Sequence, residues 1–359
     1  MKVKILEIYL CITIIIIFGC KDAQPKFSIT DANTEANLDD FPALKKLSDY
    51  GKFKLPLNSM EPANGVFYYD LNSSLFTDYA HKKRFIYLPD GKAMKFHKDH
   101  AFDFPEGSHI FKFFYYPRDF NKSNEDLRII ETRVLIKESD QWQALTYIWN
   151  DEQTDAFLSL AGETKNVEWI DENGGSKKIR YSVPGILVCK SCHEFNGKIE
   201  PIGPAARHLN KFHSLHPSKN QLTMIEENKK LTDLPDITTV SKIANWENEA
   251  VDLNERSRAY LDINCAHCHR KEGPAKNSGL YLLAFEQNSY ALGIKKPPVA
   301  AGRGSGNLKY GIEPGSPQAS ILVYRMMSLE PGIMMPEAGR RTLHKEGVDL
   351  ISEWIKKMD

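Results

Sequence analysis

The sequence predicts an α+β protein of several domains, in which a β-rich N-terminal domain (a sandwich or a curled antiparallel sheet) precedes mainly α segments. The 359 residues are enough for two or three domains. Between residues 64 and 184, short segments rich in aromatic and β-branched residues alternate with turn signals. After Pro184 the strand signals fade, and Gly, Pro and helical periodicity replace them.

The N-terminus has the pattern of an export signal. Two lysines precede an apolar run over residues 8–19, which is shorter than a typical transmembrane span. The run stops at Gly19-Cys20, a pair that resembles the cleavage box of bacterial lipoproteins. We therefore expect residues 1–19 to be a lipoprotein signal peptide, Cys20 to be lipidated, and residues 20–40 to be a flexible tether. The alternative is an uncleaved N-terminal anchor, and either form exports the rest of the chain.

Residues 41–184 form the predicted β-rich domain. Its expected elements are a short amphipathic helix at 41–51, a hairpin formed by 85–89 and 92–96 around Asp90-Gly91, strands at 109–117 and 128–138, a helix within 150–162, and a hairpin formed by 166–171 and 177–184. Short strands at this spacing are typical of a sandwich or a curled antiparallel sheet. The run HKKR at 81–84 indicates solvated surface rather than a track for phosphates.

Two predicted regions follow, at residues 185–245 and 246–359. Their expected helices lie at 218–231, 253–263, 316–328 and 344–358. The last of these helices places its apolar residues on one stripe, which marks an amphipathic helix; the stripe consists of Val348, Ile351, Trp354, Ile355 and Met358.

Each of these two regions contains one CxxCH motif, CKSCH at 189–193 and CAHCH at 265–269. Two thiols three positions apart on a helical turn can reach the two vinyl groups on one side of a porphyrin, and the adjacent His can then bind the iron. CxxCH is the attachment signature of c-type haem, so we expect two covalent haem c groups. The predicted thioether links are Cys189, Cys192, Cys265 and Cys268, and the predicted iron ligands are His193 and His269.

Two other interpretations of the motifs are open. Two CxxC pairs could form a four-cysteine zinc site, although zinc does not require the His that follows each pair. A thioredoxin-like dithiol would need a βαβ setting, which the sequence around the motifs lacks. Of the six cysteines, one lies in the predicted signal, one is Cys20 and four lie in the motifs. None is therefore left for a disulfide framework.

A c-type haem iron normally has a second axial ligand, which is often Met. After the second motif the chain offers Met326, Met327, Met334 and Met335. Met335 precedes Pro336 in a loop between two helices, which suits a held thioether, whereas Met326 and Met327 lie within a predicted helix. For the first motif the sequence selects no second ligand among the candidates His208, His213, His216 and Met224.

Residues 253–359 resemble a small cytochrome c domain, through the helix that leads into CAHCH and through MMPE at 334–337. Most of residues 40–359 resemble a family of exported dihaem c-type cytochromes without an established function. Segments that carry this resemblance include CKSCHEFNGKIEPIGPAARHLN at 189–210 and YLDINCAHCHRKEGPAKNSG at 260–279. The resemblance implies mainly α, cytochrome c-like haem domains, thioether links and proximal ligands at the motif positions, and Met335 as the distal ligand of the second haem.

We therefore expect an exported, lipid-anchored dihaem cytochrome c that transfers electrons at the cell envelope, facing the periplasm or on the surface of the outer membrane. Its expected partners are redox proteins, and the membrane through the lipid anchor. The formal net charge of zero argues against a nucleic-acid partner. One alternative is a haem-dependent redox enzyme, peroxidase-like or an oxidoreductase subunit, with an open site on the first haem. Another is a zinc-stabilised surface lipoprotein. The sequence selects no catalytic residue and no oligomeric state.

Overall fold

The computed structural model of the protein describes residues 43–299 and 301–359. The predicted signal peptide, the predicted tether and Cys20 lie outside the described residues. By their contacts, residues Ala43–Asp359 belong to one unit. Within the described ranges, no helix is both long enough and apolar enough to cross a membrane.

The described residues form β-strands, α-helices and short 3-10 helices. The strands are β1 (Val66–Tyr69), β2 (His81–Tyr87), β3 (Met94–Lys95), β4 (His109–Pro117), β5 (Leu127–Glu138), β6 (Gln141–Trp149), β7 (Ala156–Leu158), β8 (Gly162–Ile170), β9 (Ser176–Pro184), β10 (Glu194–Phe195), β11 (Lys198–Ile199), β12 (Phe212–His213), β13 (His216–Asn220) and β14 (Leu231–Thr232). The α-helices are α1 (Ile186–His193), α2 (Ala206–Leu209), α3 (Gln221–Glu227), α4 (Leu253–Asn264), α5 (Ile321–Met326) and α6 (Lys345–Lys356). The 3-10 helices are Ser48–Tyr50, Leu57–Ser59, Phe120–Lys122, Ile237–Thr239, Lys276–Ser278, Gly302–Ser305 and Pro317–Ala319.

Six strands form an antiparallel sheet in the order β1-β2-β4-β5-β6-β7. The predicted strands at 109–117 and 128–138 are confirmed as β4 and β5. Both faces of these two central strands are largely buried, since each face of the sheet carries its own layer. A strand buried on both faces reads as a nearly continuous apolar run, which explains the aromatic and β-branched composition of β4 and β5.

One face of the sheet is covered by the chain that precedes β1. The ring centroid of Phe53 lies 5.2, 5.1 and 4.9 Å from those of Phe85, Phe111 and Phe113, each in edge-to-face contact. Edge-to-face aromatic pairs contribute about 0.5–1.5 kcal/mol each beyond the burial of their area. The aromatic residues of β2 and β4 therefore hold the N-terminal described segment against the sheet.

The opposite face of the sheet carries one hydrophobic cluster towards each end. The first cluster contains Ile110 and Leu135 from the sheet together with Cys189 from α1. The second contains Phe114 from the sheet and Trp169 from the β8–β9 hairpin, which confirms the hairpin predicted from the sequence. The first CxxCH motif therefore packs directly onto the sheet.

Residues 243–358 have a hydrophobic cluster of their own, to which α4, α5 and α6 contribute. Gly347 of α6 lies against the ring of Tyr260 of α4, so closely that a Cβ at position 347 would overlap the ring. Ile351 and Ile355 are fully buried on the same helix. The helices predicted at 253–263 and 344–358 are confirmed as α4 and α6.

The expectation of mainly α, cytochrome c-like domains after the β-rich region is wrong. The structure is β-rich, and α1, α2 and α3 have only eight, four and seven residues. Their buried side chains join the core of the six-stranded sheet instead of packing only on one another. Between α4 and α6 most of the chain forms turns and 3-10 segments, because its many Gly and Pro residues interrupt helices.

Two local predictions in the β-rich region are also wrong. β2 pairs with β1 and β4, whereas β3 pairs in parallel with β14, so the strands on either side of Asp90-Gly91 are not hairpin partners. Residues 150–162 contain a turn and β7 instead of a helix. β3 pairs with a strand far away in the sequence, and β7 pairs with β6 directly before it, and local composition reports neither pairing.

The run at 81–84 is not solvated surface, because it belongs to β2. Lys82, Arg84 and Ile86 occupy every second position of the strand, so their side chains point to the same face of the sheet. Ile86 is fully buried, and both cations beside it are half-buried. Their position places positive charge inside the protein.

Candidate functional site

The first CxxCH motif is contained in α1. The helix begins after Gly185, where a side chain would overlap the backbone of Ala161 in the neighbouring loop. Cys189 is buried with its Sγ 3.7 Å from Oγ1 of Thr146 on β6. Cys192, one turn later, is half-buried, and both cysteines are free thiols. The contact with the sheet therefore fixes the orientation of α1 and of its two thiols.

His193 ends α1 and is held by the short hairpin that follows. Its Nδ1 lies 2.9 Å from the backbone carbonyl oxygen of Glu200. A carbonyl can only accept, so Nδ1 carries the proton and Nε2 is the bare nitrogen. Burial lowers the pKa of His193 to about 4, and the positive charge of Lys112 acts in the same direction. The imidazole is therefore neutral at pH 7, as a metal ligand must be.

The second CxxCH motif is a tight turn at the end of α4. The amide groups of Cys268 and His269 both donate to the carbonyl oxygen of Cys265, at 3.1 and 3.0 Å. Gly273 passes so close to the carbonyl of Cys268 that a Cβ there would overlap it. Glycine at this position therefore allows the following loop to fold back on the motif.

His269 repeats the arrangement of His193. It hydrogen-bonds the backbone carbonyl of Leu280, and burial lowers its pKa to about 4. Among the described residues, none hydrogen-bonds Nε2 of His193. Both motifs thus present a neutral imidazole held by a backbone carbonyl, and at His193 that carbonyl also sets the tautomer. That is how proteins commonly orient a histidine for a metal.

The fold brings the two motifs into direct contact. The thiol of Cys192 in the first motif lies against the thiol of Cys268 in the second, and against His267. These contacts lower the pKa of Cys192, while the same thiol pair raises the pKa of Cys268. No sequence pattern singles out His267, a residue of the second motif that the structure places against Cys192 of the first. The shared contact makes the two motifs one site.

The segments that follow the motifs also meet. The amide of Asn196, after the first motif, donates to the carbonyl oxygen of Glu272, after the second, at 2.9 Å. The guanidinium of Arg270 lies 4.6 Å from the ring centroid of Phe195. A backbone hydrogen bond and a cation–π contact therefore fix the relative position of the two loops.

A buried carboxylate ties the helices around the motifs together. Asp262 of α4 accepts hydrogen bonds from Nη2 of Arg207 at 3.0 Å and from Nε2 of His208 at 2.9 Å. Its other oxygen accepts from the amide of Ala284 at 2.9 Å. Burial alone would raise the pKa of Asp262, but the charge of Arg207 and the bond from His208 lower it well below its usual range. No motif in the sequence marks this carboxylate.

Met335, the predicted distal ligand, lies on a loop between α5 and α6. Its amide donates to the carbonyl oxygen of Arg325 at 3.0 Å, and its own carbonyl accepts from Nη2 of Arg340 at 2.9 Å. Arg340 is buried and also donates to the carbonyl of Ser328 at 2.7 Å. Two arginines therefore anchor the loop, while the Met335 side chain stays half-buried.

The Met335 loop lies beside the second motif. Contact with Cys192, burial and the negative charge of Glu337 all raise the pKa of Cys268. Burial lowers the pKa of His269, and the charge of Arg325 adds to this effect. Charged residues on both sides of Met335 in the sequence thus act electrostatically on side chains of the second motif.

The four candidates for a second ligand of the first motif have other roles in the structure. Nε2 of His208 bonds Asp262, and its Nδ1 is buried without a hydrogen-bond partner in the described chain. His213 accepts a hydrogen bond from the amide of Leu215, and its ring centroid lies 5.3 Å from that of His216. Met224 lies on α3. None of these contacts directs a side chain towards His193.

The residues of the two motifs fit a pair of covalent haem groups. All four thiols are free, and each motif ends in a neutral imidazole, that of His193 with an open Nε2. Over the described ranges, no group of three or more His, Cys, Asp or Glu side chains is placed to hold a metal ion by itself.

Comparison of the chain with protein-family models, with curated proteins and with solved structures finds no match in any of the three.

Proposed function

We propose that the protein is an exported, lipid-anchored dihaem cytochrome c that transfers electrons between redox proteins at the cell envelope. The observation that carries this proposal is the contact between the two CxxCH motifs, through Cys192 and Cys268. Motifs 76 positions apart in the sequence would have no reason to meet if each were an accidental match.

In this proposal each residue of the motifs has a defined task. Cys189 and Cys192 hold one haem, and Cys265 and Cys268 hold the other. His193 and His269 bind the irons through Nε2, while the carbonyls of Glu200 and Leu280 keep their imidazoles in the required tautomer. Each bound haem supplies one-electron redox chemistry. Contact between the motifs favours the passage of an electron from one haem site to the other.

The test is haem stoichiometry in a host that attaches haem c. The intact mass of the purified full chain should contain two haems, and the Cys265→Ala, Cys268→Ala double variant should contain one. His267→Ala, which removes the histidine between these thiols, should still contain two. A wild-type mass without haem, and a spectrum without a Soret band, would refute the proposal. If zinc were bound instead, elemental analysis would detect it in that protein.

An alternative function is a haem-dependent redox enzyme with an open position on the first haem. The engagement of His208 and His213 elsewhere favours it, because an iron without a second protein ligand can bind a substrate. The spectrum of the oxidised protein separates the two functions. One high-spin haem that binds added cyanide supports the enzyme, and two low-spin haems that do not respond support electron transfer.

A further inference from the structure

A row of three cations crosses the face of the sheet on which the first motif packs. Arg84 of β2 is directly opposite Lys112 of β4, and Lys112 is directly opposite Arg133 of β5. Directly opposed residues of antiparallel strands point to the same face, and like charges in such positions repel each other. Lys82, two positions before Arg84, adds a fourth positive charge to this face.

Two of these cations are compensated within the protein. Arg133 makes two hydrogen bonds to the fully buried carboxylate of Glu131, from Nε at 2.9 Å and from Nη2 at 2.6 Å. Lys82 donates from Nζ to the carbonyl oxygens of Leu75 and Ala80, both at 2.7 Å. Both oxygens of the Glu131 carboxylate are thus occupied by Arg133, and Lys82 is satisfied by backbone carbonyls alone.

The other two cations, Arg84 and Lys112, make no hydrogen bond and no ion pair with any residue of the described chain. The Lys112 ammonium lies over the ring of Phe114, whose centroid is 4.8 Å away. Burial lowers the pKa of Lys112 and of Arg84, and the neighbouring cations lower that of Lys112 further. Charged groups taken out of water without a partner are costly, so this pair has the electrostatics of a site that lacks its anion.

The nearby carboxylates already have other partners. Asp70, which acts electrostatically on Arg84, forms an ion pair with Lys211 through Oδ2 at 3.1 Å, while its buried Oδ1 has no hydrogen-bond partner among the described residues. Asp78, which acts on Lys82, accepts hydrogen bonds from the amides of Arg341 and Thr342. Among the described residues, neither carboxylate forms an ion pair with Arg84 or Lys112.

The row of cations leads to the first motif. Thr146 of β6 is directly opposite Arg133 of β5, and its hydroxyl contacts the thiol of Cys189. Lys112 acts electrostatically on His193. At the other end, Arg84 lines an open cleft of about 1030 Å³ between β2 and α6. The acidic residues of this cleft come from residues 172, 247–249 and 346–353, and none of them pairs with Arg84.

We propose that Arg84 and Lys112 form an anion-binding site beside the first CxxCH motif, which takes a carboxylate or a comparable oxyanion. A guanidinium offers two parallel N–H groups to such an anion, and the ammonium adds a second charge-assisted hydrogen bond. The anion has two possible sources, a carboxylate of a group attached to the motif or a free anion that enters through the cleft. The site follows from the unpaired cations alone, so it does not depend on the function proposed above.

The first measurement is protection against heat. The full chain, purified in detergent from a host that attaches haem c, is melted while phosphate or acetate replaces chloride at constant ionic strength. If a free anion binds, the melting temperature of the wild type rises with its concentration. Arg84→Gln and Lys112→Met should then need at least tenfold more anion for the same rise. Lys83→Met, which removes a cation from the opposite face of β2, should behave like the wild type.

The second measurement detects an anion that is already in place. If an attached group supplies the carboxylate, added phosphate and acetate leave the wild-type melting temperature unchanged. Arg84→Gln and Lys112→Met should then lower both the melting temperature and the reduction potential of one haem, because the lost positive charge no longer stabilises the added electron. Lys83→Met should change neither, and Arg84→Lys should restore part of both.

The proposal is overturned if anions affect all of these proteins equally and the variants keep the wild-type potential. It is also overturned if Arg84→Gln and Lys112→Met melt at a higher temperature than the wild type in every buffer, since that would mean the cations are simply unpaired. A chain that contains no haem but responds to phosphate as described supports the anion site while refuting the cytochrome.

Discussion

At the scale of single residues, Asp262 is the most constrained group near the site. It receives hydrogen bonds from the adjacent residues Arg207 and His208 of α2 and from the amide of Ala284 in a distant segment of the chain. Removal of one member of a buried ion pair costs about 3–5 kcal/mol, because the remaining charge is left uncompensated. Asp262 therefore stabilises the fold because its removal would leave the positive charge of Arg207 buried without a partner.

We expect Asp262→Asn to lower the free energy of unfolding by about 3–5 kcal/mol in denaturant titrations. The folded state holds the Asp262 pKa below that of the unfolded chain, so its stabilisation is complete above the unfolded pKa of about 4 and declines as the pH falls below it. The variant should lack this part of the acid dependence. Asp349→Asn, at an exposed ion pair on α6, should leave stability nearly unchanged.

Met335 is the residue whose role depends most directly on the proposed haem. In the haem-loaded protein, Met335→Ala should remove the spectroscopic signature of Met ligation from one haem and leave the other unchanged. Met327→Ala is the matched control, since Met327 is 56% exposed on the preceding turn. An oxidised-state spectrum of Met335→Ala identical to that of the wild type would contradict the assignment.

At the scale of elements, α6 packs against α4, the helix that leads into the second motif. Gly347 is a poor helix former, yet it lies within α6 where Tyr260 of α4 packs against the backbone. Tyr260 is buried, and its hydroxyl is fixed by Nδ1 of His344 at 2.9 Å. The close approach of α4 and α6 therefore depends on glycine at position 347, which has no side chain.

Gly347→Ala should destabilise the protein, although Ala is the better helix former. The gain in helix propensity is about 1 kcal/mol, whereas overpacking of a buried contact costs about 1–3 kcal/mol. Denaturant unfolding should give a net loss of stability, and Lys356→Ala on the exposed side of α6 should give little change. A net gain of stability for Gly347→Ala would mean that α6 can move away from Tyr260 at little cost.

At the scale of the whole molecule, the β-rich part and the C-terminal part interlock. The hydroxyl of Ser73, before β2, accepts from the amide of Trp246 and donates to the carbonyl of Ala244. Asp78 accepts hydrogen bonds from Thr342, close to the start of α6. The two CxxCH motifs add a further contact between the same parts, so residues 246–359 rely on contacts outside themselves.

We expect a fragment of residues 246–359 to melt at a lower temperature than the full chain, followed by circular dichroism under identical conditions. It would lose the partners of Asp262 and Trp246, and it would expose the apolar surface that faces Leu71 and Leu75. Addition of separately produced residues 41–245 should raise its melting temperature. If the fragment alone melts like the full chain, these contacts do not stabilise it.

The sequence by itself determined the local elements with strong patterns: the central strands, the β8–β9 hairpin, and the helices α4 and α6. It also determined the chemistry expected at each CxxCH motif, because that signature depends on the spacing of five residues.

Only the tertiary structure decided which strands pair and that α1 packs on the sheet. It also decided that Cys192 meets Cys268 and that Arg84 and Lys112 face the interior. These features depend on contacts between residues far apart in the chain, which no local pattern encodes. For the basic run at 81–84, the available signal was that Lys82 and Arg84 share the period of two with the buried Ile86 and Leu88.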